Sequence, residues 1–398
     1  MSKEDVNVDA LIRDLTDFQK EVEVEGLLRA AAEERSPAEQ GLDRIEQALE
    51  TFKSFGLSGK DDPGDLRQLV NIGQTYERLS HLRKAYETYE EALTVADRLG
   101  ETATSAVLLN RMGRVLSRWG RWDEALSRLG RSRRLYEKLG DEGGEARAVL
   151  NRGIVLHEQG NYEAATAAYR EALERAGRTG NSKIVANASN SLAVLATIQG
   201  DFDGALAQYR VCLGIFQEAS DERGMARAYQ NLGMVHADRR DWNAAMDCYE
   251  RGFGIARENG FLDTMAEIYL GRAELLLELG DLSMVALCCA RARDIFRRIE
   301  DRLGEADTYR LLGRLFTVRG RWTTALGLLQ DSLRLNEEYA NPLNLAETHR
   351  DLGRLHAATG HATDARAAFE AALSGFRRLG AKVDAAQVER LIQALGNP

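Results

Sequence analysis

One small residue returns every 40 positions through most of this chain: Gly73, Gly113, Gly153, Ala193, Gly233, Ala273, Gly313 and Gly353. A second small series runs Ala85, Ala125, Ala165, Ala205, Ala245, Val285, Ala325 and Ala365, and a third, seven residues on, runs Ala92, Ser132, Ala172, Cys212, Gly252, Ala292, Ser332 and Ala372. A fixed period of this length marks a stacked repeat, in which each unit buries its apolar face only against its neighbours. Small residues recur because two helices approach closely only where neither presents a large side chain.

Larger residues fill the positions between. Tyr76, Leu116, Leu156, Ala196, His236, Leu276, Phe316 and His356 share one slot of a first helix. Tyr89, Leu129, Tyr169, Tyr209, Tyr249, Cys289, Leu329 and Phe369 share one slot of a second. Gly120, Gly160, Gly200, Gly280, Gly320 and Gly360 stand where the first helix ends and the chain needs a left-handed cap, with Ser80 and Arg240 departing from the rule. The pattern predicts eight helical hairpins over residues 61–380. The fold class is therefore all-α, a solenoid of antiparallel helix pairs.

The flanking segments read as caps. Residues 7–34 form a long amphipathic helix through Leu11, Leu15, Phe18, Val22 and Leu28, and residues 37–56 a degenerate second helix, so residues 1–60 make an N-terminal cap. Residues 381–398 supply a final capping helix. The net charge of −9 is concentrated at the start: residues 1–65 carry 17 acidic and 8 basic side chains, and the remainder balances. That segment either caps the solenoid or folds across its basic inner face.

Several function classes lack a signal. No phosphate-binding loop, dinucleotide fingerprint, nucleophile elbow or zinc spacing occurs, so no catalytic residue, cofactor or metal is expected and the chain reads as a non-enzyme. Cys212, Cys248, Cys288 and Cys289 read as reduced packing residues, His236 and His356 as fillers, and Trp122, Trp242 and Trp322 as hairpin core. The start, MSKEDVNVDA, has neither the basic nor the apolar region of a signal peptide, and no apolar run reaches membrane-span length, which predicts a cytoplasmic protein. Arginine outnumbers lysine 45 to 8, the usage of a GC-rich bacterial genome. A repeat region without net charge or interleaved basic and aromatic runs gives no reason to expect nucleic acid as a partner.

The order of residues in YQNLGMVHADRRDWNAAMDCYERGFGIA, Tyr229 to Ala256, resembles the tetratricopeptide repeat. The 40-residue period resembles the longer-helix subclass found in Pins/LGN-type adaptors and in bacterial regulatory proteins. The resemblance implies a right-handed superhelix of roughly one turn, with first helices lining a concave groove that holds another protein or peptide. Carried over by position, the groove residues are Arg67, Asn71, Gln74, Asn110, Arg114, Arg118, Arg147, Asn151, Asn187, Asn190, Arg227, Gln230, Asn231, Arg310, Arg314, Arg350 and Arg354. Asn and Gln both donate and accept, which suits the backbone of an extended peptide, and Arg pairs with carboxylates, which favours an acidic segment. The expected function is a protein-interaction scaffold or adaptor for such a segment. The alternative is a bacterial sensor of a signal peptide or small ligand that regulates a partner protein.

Overall fold

The computed structural model describes residues 50–51 and 62–396, and among these the chain runs through seventeen α-helices with no strand. The first four hairpins pair α1 (Pro63–Arg78) with α2 (Leu82–Leu99), α3 (Thr102–Arg118) with α4 (Trp122–Leu139), α5 (Glu142–Glu158) with α6 (Tyr162–Arg178), and α7 (Ser182–Gln199) with α8 (Phe202–Glu218). The next four pair α9 (Glu222–Asp238) with α10 (Trp242–Asn259), α11 (Leu262–Leu279) with α12 (Leu282–Arg298), α13 (Arg302–Val318) with α14 (Trp322–Glu338), and α15 (Pro342–Ala358) with α16 (Ala362–Leu379). A last helix, α17 (Lys382–Ala394), packs on α16. The architecture is the all-α solenoid of eight hairpins that the period predicts.

Each hairpin closes by a small-to-large fit. A Cβ added at Gly73 would lie 2.5 Å from the Tyr89 ring, one at Gly153 2.6 Å from Tyr169, and one at Gly313 2.6 Å from Leu329. The filler of the second helix thus sits in the notch left by the small residue of the first, 16 positions earlier. Tyr89, Tyr169, Tyr209, Tyr249 and Phe369 are all at most 1% exposed, and burying a side chain of this size stabilises by roughly 1.5–3 kcal/mol. Overpacking a notch would cost a similar amount, about 1–3 kcal/mol.

Helix ends follow from local chemistry. Asp141, Asn161, Asp201, Asp221, Asp281 and Asp301 each accept a hydrogen bond at their helix start from a backbone N–H three residues on, which satisfies one of the orphan donors. Ser80 and Arg240, the departures from glycine, adopt the same left-handed conformation at φ 63° and 61°. For Ser80 the compensation is visible: it is fully buried and its hydroxyl accepts from Arg118 Nη2 at 3.1 Å.

The superhelix winds far enough to meet itself. The turn at Gly120 packs on Tyr339, that at Gly160 on Pro342 and Leu379, and that at Gly200 on Val383. Arg118 Nη2 bonds Asp263 Oδ2 at 2.9 Å across 145 residues, and Arg83 bonds Glu300 at 3.2 Å across 217. Leu379 joins an apolar cluster with α5, α6 and α7, and Leu79 joins one with α9, α11 and α12. The groove expected from the sequence is closed along this seam.

The expected N-terminal cap over residues 1–60 lies outside the described residues except at Glu50, which accepts from Lys84 Nζ at 2.6 Å. Trp122 is buried and Trp242 half-buried, but Trp322 is 41% exposed, which corrects its placement in the hairpin core. It opens α14 at the edge of the solenoid and lies along the turn at Gly320 instead of under a neighbouring hairpin. The four cysteines are unpaired, and burial pushes the thiols of Cys212 and Cys288 up to about 11. Among the described residues no helix is long and apolar enough to cross a membrane, and no His, Cys, Asp and Glu group could hold a metal ion.

Candidate binding cavity

First helices face the inside because their apolar stripes pack on the second helices and their polar stripe is left over. Closing the turn brings the polar stripes of α1, α3, α5, α9, α11 and α13 around a cavity of about 780 Å³. A space of this size suits a small ligand or a short stretch of peptide. Ile154, Leu270 and Leu303 give it an apolar floor among polar walls.

Two rungs of amide cross neighbouring repeats. Asn151 Nδ2 donates to Asn110 Oδ1 at 2.7 Å, and Asn231 Nδ2 donates to Asn190 Oδ1 at 3.3 Å, each spanning 41 residues. The same step of 41 residues is taken by an ion pair further along, where Arg310 Nη1 donates to Asp351 Oδ2 at 3.3 Å. The inner surface therefore changes from amide rungs in the early repeats to charged rungs in the late ones. An Asn that spends one donor on its neighbour retains both donor and acceptor capacity for a ligand.

The charged groups of the cavity wall are of two kinds. Glu77, only 7% exposed, accepts from Tyr89 Oη at 2.8 Å, Arg111 Nη1 at 3.2 Å and Arg114 Nε at 2.7 Å. Burial opposes its ionisation, but Arg114 and Arg111 prevail and hold its carboxyl below the usual range. Asp263 takes Arg118 at 2.9 Å and Arg223 Nη1 at 2.9 Å, and these two cations overcome burial to hold it at about 2. Each of these carboxylates thus carries two arginines, a local excess of positive charge.

Three further carboxylates of the wall leave an excess of negative charge, one of them, Glu267, a single helical turn from Asp263. Among the described residues Glu158 and Glu267 line the cavity with no ion pair, and Asp307 has only Arg310 at 3.9 Å. Crowding by the surrounding protein, reinforced by Asp301 for Glu158 and by Asp263 for Glu267, pushes both up to about 7 and raises Asp307 to the same value, although Glu267 itself is exposed to the open space of the cavity. One Oδ1 atom of Asp307 is buried without a hydrogen-bond partner.

Of the residues carried over by position, Asn71, Gln74, Arg114, Arg118, Asn151 and Arg227 line the cavity. Asn110 and Asn190 are buried behind it as acceptors for Asn151 and Asn231, and Gln230 is half-buried on α9. Asn187 donates to the carbonyl of Lys183 on its own helix, and Arg67 and Arg147 are exposed away from the cavity. Arg310, Arg314, Arg350 and Arg354 do not line this cavity and are paired with carboxylates of the chain itself. Arg310, 6% exposed, is held by Glu274, Glu347 and Asp351, and Arg314 by Glu274, Glu278 and Asp351. Arg350 pairs with Asp384 at 2.6 Å and Arg354 with Asp351 at 2.8 Å. Counting along one helix finds the polar stripe but not the carboxylate that a neighbouring repeat supplies.

Position counting missed Arg111, Glu77 and Glu158, and it missed Asp263, Arg223, Asp301, Asn341 and Asn344, which reach the cavity from helix starts on the far side of the turn. For Asp301 and Asn341 the sequence signal is that of the Asp or Asn that opens a repeat, which announces a helix start, not a cavity wall.

The tetratricopeptide repeat family matches residues 68–98, 104–178 and 184–258. Residues 68–258 carry tetratricopeptide repeats. Among solved structures it is similar to a Rap protein complexed with competence and sporulation factor, at 16% identity and a TM-score of 0.60, over 85% of this chain and 89% of that one. It is similar at 17% identity, also with a TM-score of 0.60, to the Rap conjugation gene regulator of plasmid pLS20 in complex with the Phr* peptide, over 83% of this chain and 94% of that one. These likenesses concern the fold. By sequence, no curated protein matches the chain significantly.

Proposed function

We propose that this repeat protein is a non-catalytic binding protein whose closed groove holds a short extended peptide segment of another protein. The observation that carries the reading is the amide rung Asn110–Asn151, with Asn71 and Gln74 lining the same cavity. Amides on one wall can take the backbone of an extended chain whatever its side chains, and the apolar floor takes one side chain.

The preference for an acidic segment is supported where Arg111 and Arg114 share Glu77 and where Arg118 and Arg223 share Asp263. Glu158, Glu267 and Asp307 favour a cationic group, a Lys or Arg side chain or an amino terminus. The ligand is therefore read as a peptide of mixed charge that sets a basic group beside these three carboxylates. The fold shared with two proteins solved with factor or peptide favours the sensor alternative as a second reading, in which the peptide is a signal and the solenoid passes its arrival to a partner protein.

The test is a peptide selected from a displayed random library on the intact chain, followed by titration calorimetry with variants. Asn151→Ala, which removes the cavity-facing rung, is expected to weaken binding at least about tenfold, or 1.4 kcal/mol. Unchanged affinity in Asn151→Ala, and in Glu158→Gln with a Lys-bearing peptide, would overturn the assignment of the site.

A further inference from the structure

The seam where the superhelix meets itself is built unlike the rest of the solenoid. Elsewhere, neighbouring repeats share whole helix faces; at the seam only turns and helix ends touch, as at Gly120 on Tyr339 and Gly200 on Val383. Its polar part is a three-residue ion cluster: Asp263 between Arg118 and Arg223, with Arg223 Nη2 reaching the carbonyl of Arg78 at 3.3 Å. These residues also line the cavity, so the wall and the seam are the same side chains. On the outside an exposed pair, Arg83 with Glu300, bridges the gap.

Among the described residues five hold left-handed backbone without glycine, Ser80, Ser220, Arg240, Glu300 and Ala340, and three of these, Ser80 at φ 63°, Glu300 at 56° and Ala340 at 50°, sit at the seam. Such conformations persist only where the surroundings impose them. In a linear array each repeat contacts only its neighbours, so small changes in successive hairpin angles add up to a large displacement at a contact 145 residues away. A contact made by helix ends, with ion pairs beside a few apolar residues, joins the far ends of such a spring and is the part that gives first.

We propose that this seam is a clasp, and that its opening is the step that admits and releases the occupant of the cavity. The proposal rests on the peptide reading only for what passes through; the opening itself can be measured without a ligand. Ion pairs of this exposure are screened by salt, so the clasp opens more often as ionic strength rises.

The experiment places a reporter thiol on the cavity wall. Thr75 lines the cavity on α1, is half-buried, and its hydroxyl bonds only its own helix, so Thr75→Cys is mild. Cys248→Ser removes the one native thiol that is not fully buried. The rate of modification of Cys at this position is compared for iodoacetamide and for a maleimide carrying a long polyethylene glycol chain. The bulky reagent is expected to react at least about tenfold faster when Asp263→Asn or Arg83→Glu is added, and faster in roughly 0.5 M salt, with iodoacetamide unchanged. Arg83 is on the surface, so Arg83→Glu keeps the test valid if Asp263→Asn folds poorly. Equal rates for the bulky reagent in all proteins would overturn the clasp and leave peptide binding standing. Accelerated labelling with no peptide bound would overturn the peptide reading and leave the clasp standing.

Discussion

Replacing Asp351 by Asn separates a structural ion web from a ligand site. Asp351 is fully buried, accepts from Arg354 at 2.8 Å and Arg310 at 3.3 Å, and has Arg314 at 3.7 Å. Burial opposes its charge, but the surrounding arginines hold its carboxyl at about 2 against an ordinary 3.8. At 1.36 kcal/mol per unit, that difference of about 1.8 units is worth about 2 kcal/mol. Because the folded value is depressed, the stabilisation is complete above pH 3.8 and is lost as the pH falls through 2. Asp351→Asn should therefore unfold at a lower urea concentration at pH 7, by about 2 kcal/mol, and approach the parent protein near pH 2. Asp351→Ala should cost more, about 3–5 kcal/mol, because Arg310 is left buried with one partner fewer. Since coupling in a solenoid is between neighbours, faster amide exchange should be confined largely to α13 and α15. A variant that keeps its urea midpoint at pH 7 but loses peptide affinity would refute the argument, and would return Arg310 and Arg354 to the ligand site.

Three further outcomes follow from the same geometry. Glu158 has a folded value raised from 4.5 to about 7, so it weakens the fold increasingly as pH rises from 4.5 through 7; Glu158→Gln should raise the urea midpoint at pH 8 and leave it unchanged at pH 4. For a Lys-bearing peptide, affinity measured by calorimetry should fall as pH drops from 8 to 6, because Glu158, Glu267 and Asp307 take up protons in that interval. Gly120→Ala combines left-handed strain at φ 74° with a Cβ driven into Tyr339, so thermal melting should show a larger loss than for Gly140→Ala, where φ is 67° and the space is open.

What the sequence reveals here divides along the range of the interactions. The hairpins were legible because their signals are local: Gly73 and Tyr89 lie 16 residues apart and recur with the period. The turns were legible for the same reason, down to Ser80, whose departure from glycine marks the seam. Asn151 and Asn71 were found by counting along a helix, and both line the cavity. The ion pairs of Arg310 and Arg350 were not legible because Glu274 and Asp384 lie one repeat away and leave no local pattern, whereas Asp351 stands three residues before Arg354 on the same helix. Asp263 and Glu158 were beyond reach in a different way. They meet Arg118 and one another's surroundings only because the small rotation per repeat accumulates to a closed turn, and that rotation is set by packing details summed over several hairpins.

The central claim is that the cavity enclosed by α1, α3, α5, α9, α11 and α13 is where a peptide lies. It is tested most directly by solving the structure of the intact chain with a peptide selected from a displayed library. The account predicts an extended backbone against Asn151 and Asn71, with a basic group between Glu158 and Glu267. A peptide found on the convex helices, with the cavity still open beside it, would contradict it.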